Sequence, residues 1–324
     1  MRAARTVRGL GPASIAAIAL LCALMIGLCA PAAAAGDDAG LLRARFEALA
    51  AQARAAAPTQ AQINPFGLPL YLVSTETADR IDGELYARID HPYEQVRAAL
   101  VDRERWCEIL ILHPNVKYCR AARTLAGDAI FVGIGRKTWQ ELRDVFIVRF
   151  VFRDAGSTAE HLQVDLRAPS GPLSTRDYRL TVEAAPLDRG ASVLRLSYGY
   201  SFGLMGRLAM QSYLATLGRN KVGFSIAGRG ADGQPVYVGG VRGVVERNAM
   251  RYFLAIGAHL AISAHLAAGS DNGRRPLHAS LSVWFEASER YALQLHELER
   301  AEYLEMKVRE VLRQQTVVDP PGTG

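Results

Sequence analysis

Hydrophobic and polar residues alternate along most of the stretch from residue 81 to residue 202, which predicts a run of β-strands. Phe146, Val148, Phe150 and Phe152 share one face of residues 144–153. Leu162, Val164, Leu166 and Ala168 oppose Gln163, Asp165 and Arg167, and Tyr178, Leu180, Val182 and Ala184 oppose Arg179, Thr181 and Glu183. In the last strand Leu194, Leu196, Tyr198, Tyr200 and Phe202 oppose Arg195, Ser197 and Ser201. Gly156, residues 169–172 and residues 188–190 supply turns. One apolar face and one wet face describe an antiparallel sheet covered on one side.

Before these strands, Leu85, Ala87 and Ile89 mark a half-buried strand at 84–90, and Pro92 opens a short helix carrying Val96, Ala99 and Leu100. A second helical turn at 106–112 stops before Pro114, and strands are expected at 116–122 and 129–141. After the run, residues 204–217 carry Met205, Leu208, Ala209, Tyr213 and Leu217 in a helical stripe. Residues 228–243 are glycine-rich and read as a loop or short hairpin. Residues 244–268 are apolar on nearly every side, but Glu246, Arg247, Arg251, His259 and His265 interrupt them, so a buried core helix is expected rather than a membrane span. Residues 281–315 read as a charged helix with Leu298, Ala301, Leu304, Val308 and Leu312 as its apolar side. Upstream, Leu41, Leu42, Phe46 and Leu49 define a modest amphipathic helix, and residues 58–69 read as a linker.

Strand, two short helices, an antiparallel meander and a closing helix is an order that resembles the helix-grip fold of the START-like (SRPBCC) superfamily. The expected class is therefore α+β, with a curved antiparallel sheet of six to seven strands around a long helix and extra helices at the C-terminus. The resemblance covers about residues 81–223 and rests on patterning rather than on a sharp motif. It places a START-like domain at 70–223, preceded by a helix and linker at 36–69 and followed by a helical extension at 224–316. Residues 317–324 form an expected disordered tail. Two segments compete as the gripping helix, 204–217 and 244–268. The resemblance implies a hydrophobic ligand held between the sheet and that helix. Phe146, Phe150, Phe152, Tyr178, Tyr198, Tyr200 and Phe202 would then line the cavity, with tyrosine hydroxyls as polar handles. The alternative is that these aromatics pack a solid core. The side taken by Trp139 is ambiguous, because it is out of step with Ile130, Val132 and Ile134.

The N-terminus sets the expected compartment. Arg2, Arg5 and Arg8 precede a short apolar core at 15–28, and Ala32 to Ala35 offer a small-residue cleavage site. This is the layout of a secretory signal peptide over residues 1–35, and it implies a periplasmic or secreted protein. Cleavage removes three arginines and no acidic residue, taking the formal charge from +6 to +3, too little for a nucleic-acid footprint. It also removes Cys22 and Cys29 and leaves Cys107 and Cys119. In an oxidising compartment these two most simply form a disulfide; free thiols, or a metal site with His113 between them, are the alternatives.

Motifs for chemistry are few, and no cofactor or metal is implied. Gly199-Tyr200-Ser201-Phe202-Gly203 is a literal G-x-S-x-G between a strand and a helix, with Asp232 or Asp271 and His259, His265 or His278 downstream. A nucleophile elbow, however, needs a parallel sheet, and the alternation puts Ser201 on the wet face. Gly133-Ile134-Gly135-Arg136-Lys137 lacks phosphate-loop spacing and reads as a bend in a strand. The glutamates of 295–310 read as solvated surface charge. The leading expectation is binding or transfer of a lipid or other apolar molecule. A cyclase- or isomerase-type enzyme on the same scaffold is the second, and a module whose C-terminal helices dock a membrane surface or membrane protein is the third.

Overall fold

The computed structural model describes residues 37–56, 69–216, 218–267 and 276–316. The expected signal peptide and C-terminal tail, and nearly all of the expected linker, lie outside the described residues.

The alternating segments pair into one antiparallel sheet of eight strands: β1 (Leu70–Glu76), β2 (Arg80–Ile89), β3 (Val116–Thr124), β4 (Gly127–Ile134), β5 (Phe146–Asp154), β6 (Leu162–Ser170), β7 (Thr175–Pro186) and β8 (Ser192–Phe202). Their spatial order is β1-β2-β8-β7-β6-β5-β4-β3, a meander from β3 to β8 with the β1–β2 hairpin added beside β8. The registers keep the apolar set together, for example Leu166 opposite Leu180 and Leu180 opposite Tyr198. The sheet thus has one strand more than the six to seven expected. The added strand is β1, whose Leu72 pairs with Leu85.

β1 escapes the alternation rule because both of its faces are covered. Helix α1 (Asp38–Ala56) lays Leu42, Phe46 and Leu49 on the outer face, against Tyr71, Val73, Tyr86, Ala185 and Val193. Phe46 meets Tyr71 edge to face at 5.6 Å. This corrects the expectation of a sheet covered on one side only. The apolar positions of α1 are spent on a surface that the strands alone leave wet.

On the inner face lie α2 (Tyr93–Leu100), α3 (Arg103–Leu110) and the 28-residue α5 (Gly240–Ala267). The side chain of Asp102 caps α3 by accepting from the Glu104 amide at 3.0 Å. A disulfide between Cys107 and Cys119 ties α3 to β3. Helix α5, not the segment after β8, is the gripping helix. Val245, Ala249, Met250, Phe253 and Ile256 are buried in the same cluster as Leu85, Leu196 and Val182. Gly83 allows this contact, since a Cβ there would stand 3.2 Å from Val245 Cγ1. Among the described residues no helix is long and apolar enough to cross a membrane.

Between β8 and α5 the chain inserts α4 (Leu204–Ala215) and a hairpin of β9 (Ile226–Arg229) and β10 (Pro235–Tyr237). Of the stripe expected on α4, Met205 and Leu208 are exposed, and the side chains of Ala209, Tyr213 and Leu217 lie outside the described set. Helix α4 rests on the strand end, where a Cβ at Gly206 would meet Phe202 at 3.0 Å.

The segment read as one helix over 281–315 is three: α6 (Pro276–Glu289), α7 (Ala292–Leu295) and α8 (Arg300–Thr316). Of the apolar side expected there, Leu298, Leu304 and Val308 pack partly buried against the core, but the most deeply buried residues are others. Tyr303, Met306, Lys307, Glu310 and Val311 point inward, while Leu312 is exposed. Lys117 of β3 and Lys307 share the Glu310 carboxylate at 3.0 and 2.7 Å, all three side chains being wholly buried. The reading of these glutamates as solvated charge is thereby corrected for Glu310, whose helix face turns onto an edge strand that carries its own buried lysine. Trp139 lies outside the sheet interior, with the Arg309 and Arg313 guanidinium groups 4.1 and 4.6 Å from its ring centre. Residues on both sides of position 223 belong to one hydrophobic cluster.

Candidate ligand cavity

Between the inner sheet face and α5 a cavity of about 30 Å³ remains. Val132 and Ile134 of β4, Phe150 of β5, Leu166 of β6, Tyr178 and Leu180 of β7 and Tyr198 of β8 form its sheet side. Leu110 of α3 and Tyr252 of α5 close it. The strand period of two delivers these side chains to one face, and the curvature of the sheet keeps them from meeting fully.

The aromatic groups are in mutual contact. Tyr178 and Tyr200 stack at 5.2 Å, Phe150 meets the edge of Tyr178 at 6.3 Å, and Tyr198 lies 5.4 Å from Tyr252. Tyr178 shares a hydrogen bond of 2.7 Å between its hydroxyl and Thr175 Oγ1. Its ring passes over Gly171, where any Cβ would overlap it. Burial pushes the hydroxyls of Tyr178, Tyr198, Tyr200 and Tyr252 above the ordinary phenol range, so all four stay protonated at neutral pH.

Behind Tyr252 the surroundings turn polar. The His113 ring stacks on Tyr252 at 5.1 Å, and His113 Nδ1 accepts from the Asn115 amide at 3.1 Å, which leaves the hydrogen on Nε2. Burial, then Arg251, Lys307 and Lys137, hold this imidazole well below its ordinary value and therefore neutral. Glu297 accepts from Lys137 and Arg251, each at 2.6 Å, with Lys221 at 3.7 Å. Burial alone would raise the Glu297 carboxyl, but Arg251 and Lys137 outweigh it and keep the group ionised. Burial and Arg251 in turn lower Lys137 to about 8.

The seven aromatic residues expected to line the cavity separate into three groups. Phe150, Tyr178 and Tyr198 line it; Tyr200, Phe202 and Phe152 are buried in the surrounding core. Phe146 departs from the expectation. It shares the inward parity of Phe150 but is 45 % exposed at the strand end, beyond the helices that cover the face. Strand parity fixes a side, not what lies over it. Helices contribute two liners that strand alternation does not reveal, Tyr252 and Leu110; Leu166, Leu180, Val132 and Ile134 were legible as inward-facing but not as liners.

Ser201 lies on the outer face as expected, yet it is buried rather than wet, because Arg80, paired with Asp82, folds over it and donates to its hydroxyl at 3.4 Å. His259 is engaged elsewhere, with Glu108 and Ser263, and Asp271 lies outside the described residues. The G-x-S-x-G stretch is the end of an antiparallel strand paired to Arg80 and Arg176, not a strand-to-helix elbow on a parallel sheet. The disulfide occupies both cysteines, so neither is a thiolate ligand.

An eight-stranded antiparallel sheet curled on one long helix, with two short helices between its second and third strands, decides the architecture. The chain has a helix-grip fold. Solved structures similar to it include a START superfamily protein from Mycobacterium smegmatis, at 13 % identity and TM-score 0.29, the match covering 44 % of this chain and 93 % of that one. Human StAR-related lipid transfer protein 5 matches at 10 % identity and TM-score 0.29, over 54 % and 90 % of the two chains. Norcoclaurine synthase from Thalictrum flavum matches at 11 % identity and TM-score 0.29, over 49 % and 86 %. No family model and no curated protein matches the sequence.

Proposed function

We propose that this protein binds an apolar small molecule or lipid in the aromatic interior between the sheet and α5. The observation that carries the reading is the incompletely filled space among Phe150, Tyr178, Tyr198 and Tyr252 at the centre of the grip. Its lining is apolar with tyrosine hydroxyls as the polar points, the composition of small-molecule sites. At about 30 Å³ it holds about two waters as it stands, against roughly 300 Å³ for a drug-sized ligand. A ligand therefore enters by displacing side chains, and the partly exposed Phe150 and Ile134 are where the cavity meets the surface.

Binding is favoured over cyclase or isomerase chemistry because no carboxylate, lysine, arginine or histidine lines this space, and its tyrosines are held neutral. The N-terminal sequence and the Cys107–Cys119 disulfide support action in an oxidising compartment, periplasmic or extracellular. Exposed Leu173, Leu204 and Met205 at the strand ends beside Tyr178 and Phe202 suit contact with a membrane surface during loading.

Native mass spectrometry of gently purified protein, with lipid titration followed by tyrosine and tryptophan fluorescence, tests the reading. A co-purifying apolar molecule, displaced or excluded in Val132→Phe, is the expected result. A protein that carries nothing and binds no lipid, with Val132→Phe indistinguishable from wild type, overturns it.

A further inference from the structure

Two turns beyond Tyr252 along α5, a second pocket of about 320 Å³ opens between α3, α5 and α6. Its polar lining is Arg105, Glu108, His259, Ser263 and Ser280, and Ile262 and Leu277 supply the apolar side. The volume lies at the lower end of the range for small-molecule sites, roughly 300–1,000 Å³.

The His259 imidazole joins two side chains in this pocket. Glu108 Oε2 lies 3.4 Å from Nδ1, and Ser263 Oγ lies 3.4 Å from Nε2. His259 and Ser263 share a helix face because they are four residues apart, and Glu108 reaches the ring from the neighbouring α3. A histidine and a serine at this spacing are common on helices. A carboxylate on the other ring nitrogen, with a ligand-sized space lined by the hydroxyl, is a more demanding arrangement. With its hydrogen on Nδ1 facing Glu108, the ring turns the lone pair of Nε2 toward Ser263.

We propose that this pocket is a second functional site of the esterase type, with Ser263 as nucleophile, His259 as general base and Glu108 as the residue that orients the imidazole. Ser263 Oγ bonds to the carbonyl carbon of a small carboxylic ester while its proton passes to His259 Nε2 and the carbonyl π pair moves to oxygen. Collapse breaks the bond to the alkoxy group, which leaves as the alcohol with the proton from Nε2. Water then repeats the sequence on the acyl-Ser263, giving the carboxylic acid and the free serine. The Arg105 guanidinium, held by Asp102 at 3.4 Å, is the charged donor in the lining for the oxyanion. Burial and Arg105 lower His259 to about 4, so the ring is neutral at physiological pH and its Nε2 lone pair is free to accept from Ser263. Distances of 3.4 Å are those of a pair without substrate, and such catalytic hydrogen bonds tighten on binding.

The full chain treated with a fluorophosphonate probe and mapped by peptide mass spectrometry tests the assignment, alongside hydrolysis of 4-nitrophenyl acetate. The expected result is an adduct on Ser263 that is absent in His259→Ala, with ester hydrolysis lower by at least about a hundredfold in Ser263→Ala. Alanine is favourable at this partly exposed helix position, so Ser263→Ala keeps its fold. Glu108→Gln is expected to lower kcat with KM unchanged and to shift the acidic limb of the pH profile. A wild-type protein with no adduct on Ser263, or a Ser263→Ala protein as active as wild type, overturns the proposal.

Discussion

Tyr178 lies flat against Tyr200, with ring centres 5.2 Å apart and planes 16° from parallel. The bare backbone of Gly171 lies against the Tyr178 ring. Gly171→Ala therefore forces Tyr178 out of its rotamer and into the cavity, at a cost of about 1–3 kcal/mol. Urea unfolding measures the loss, and weaker uptake of an apolar probe by the same variant measures the intrusion.

Glu310 neutralises only one of the two buried lysines it touches. Glu310→Gln leaves both ammonium groups without a counter-charge and is expected to destabilise by about 3–5 kcal/mol. Chemical denaturation at neutral pH checks it.

Lys307 adds a pH signature. Burial lowers its folded-state value to about 8, below the ordinary 10.5 that it has when unfolded. Between those values the unfolded chain holds a proton that the folded chain has released, so this group makes stability rise with pH through that window. Below about 8 the lysine is charged in both states and its burial penalty is fully present. The difference in unfolding free energy between wild type and Lys307→Met, followed from pH 7 to 10, is expected to move in favour of wild type as pH rises. A difference that stays flat contradicts the assignment.

Helix α8 is built into the core. The Tyr303 hydroxyl donates to the Leu112 carbonyl at 2.8 Å, and its ring stacks on Trp284 at 5.0 Å. Removing residues 300–324 is expected to abolish near-ultraviolet circular dichroism and cooperative melting. A truncated protein that still melts cooperatively would instead support the reading of the C-terminal helices as a detachable docking module.

Reducing the Cys107–Cys119 bond, which spans a sequence separation of 12, is expected to cost about 3 kcal/mol through the freedom returned to the unfolded chain. A drop in melting temperature with reductant, absent in a Cys107→Ser/Cys119→Ser protein, checks it.

The strands from β5 to β8 were legible because each has one buried face, so every second residue reports its side. β1 was not, since Tyr71 and Val73 are covered by Phe46 of a helix some 25 residues earlier, and burial on both faces erases the alternation. The cysteine pair was readable from the compartment expected from the N-terminal sequence and from the number of cysteines left. The inner face was also readable, but not its extent: Phe146 has the right phase and is only partly covered. Helical liners such as Tyr252 sit in a run that is apolar on all sides, where periodicity no longer singles out a face. Glu310 looks like any surface glutamate until Lys117, nearly two hundred residues away in sequence, is placed opposite it. Pairings of that kind are properties of the fold, not of the segment.

Helix α5 walls both cavities, presenting Tyr252 to one and His259 to the other, seven residues and roughly 10 Å apart along a single rod. Helix α3 does the same with Leu110 and Glu108. A ligand that wedges the grip open by shifting either helix changes the distances around His259 in the same movement. By thermodynamic reciprocity, occupancy of the outer pocket then alters affinity in the inner one by an equal factor. Two pockets that share their walls are two inputs to one equilibrium.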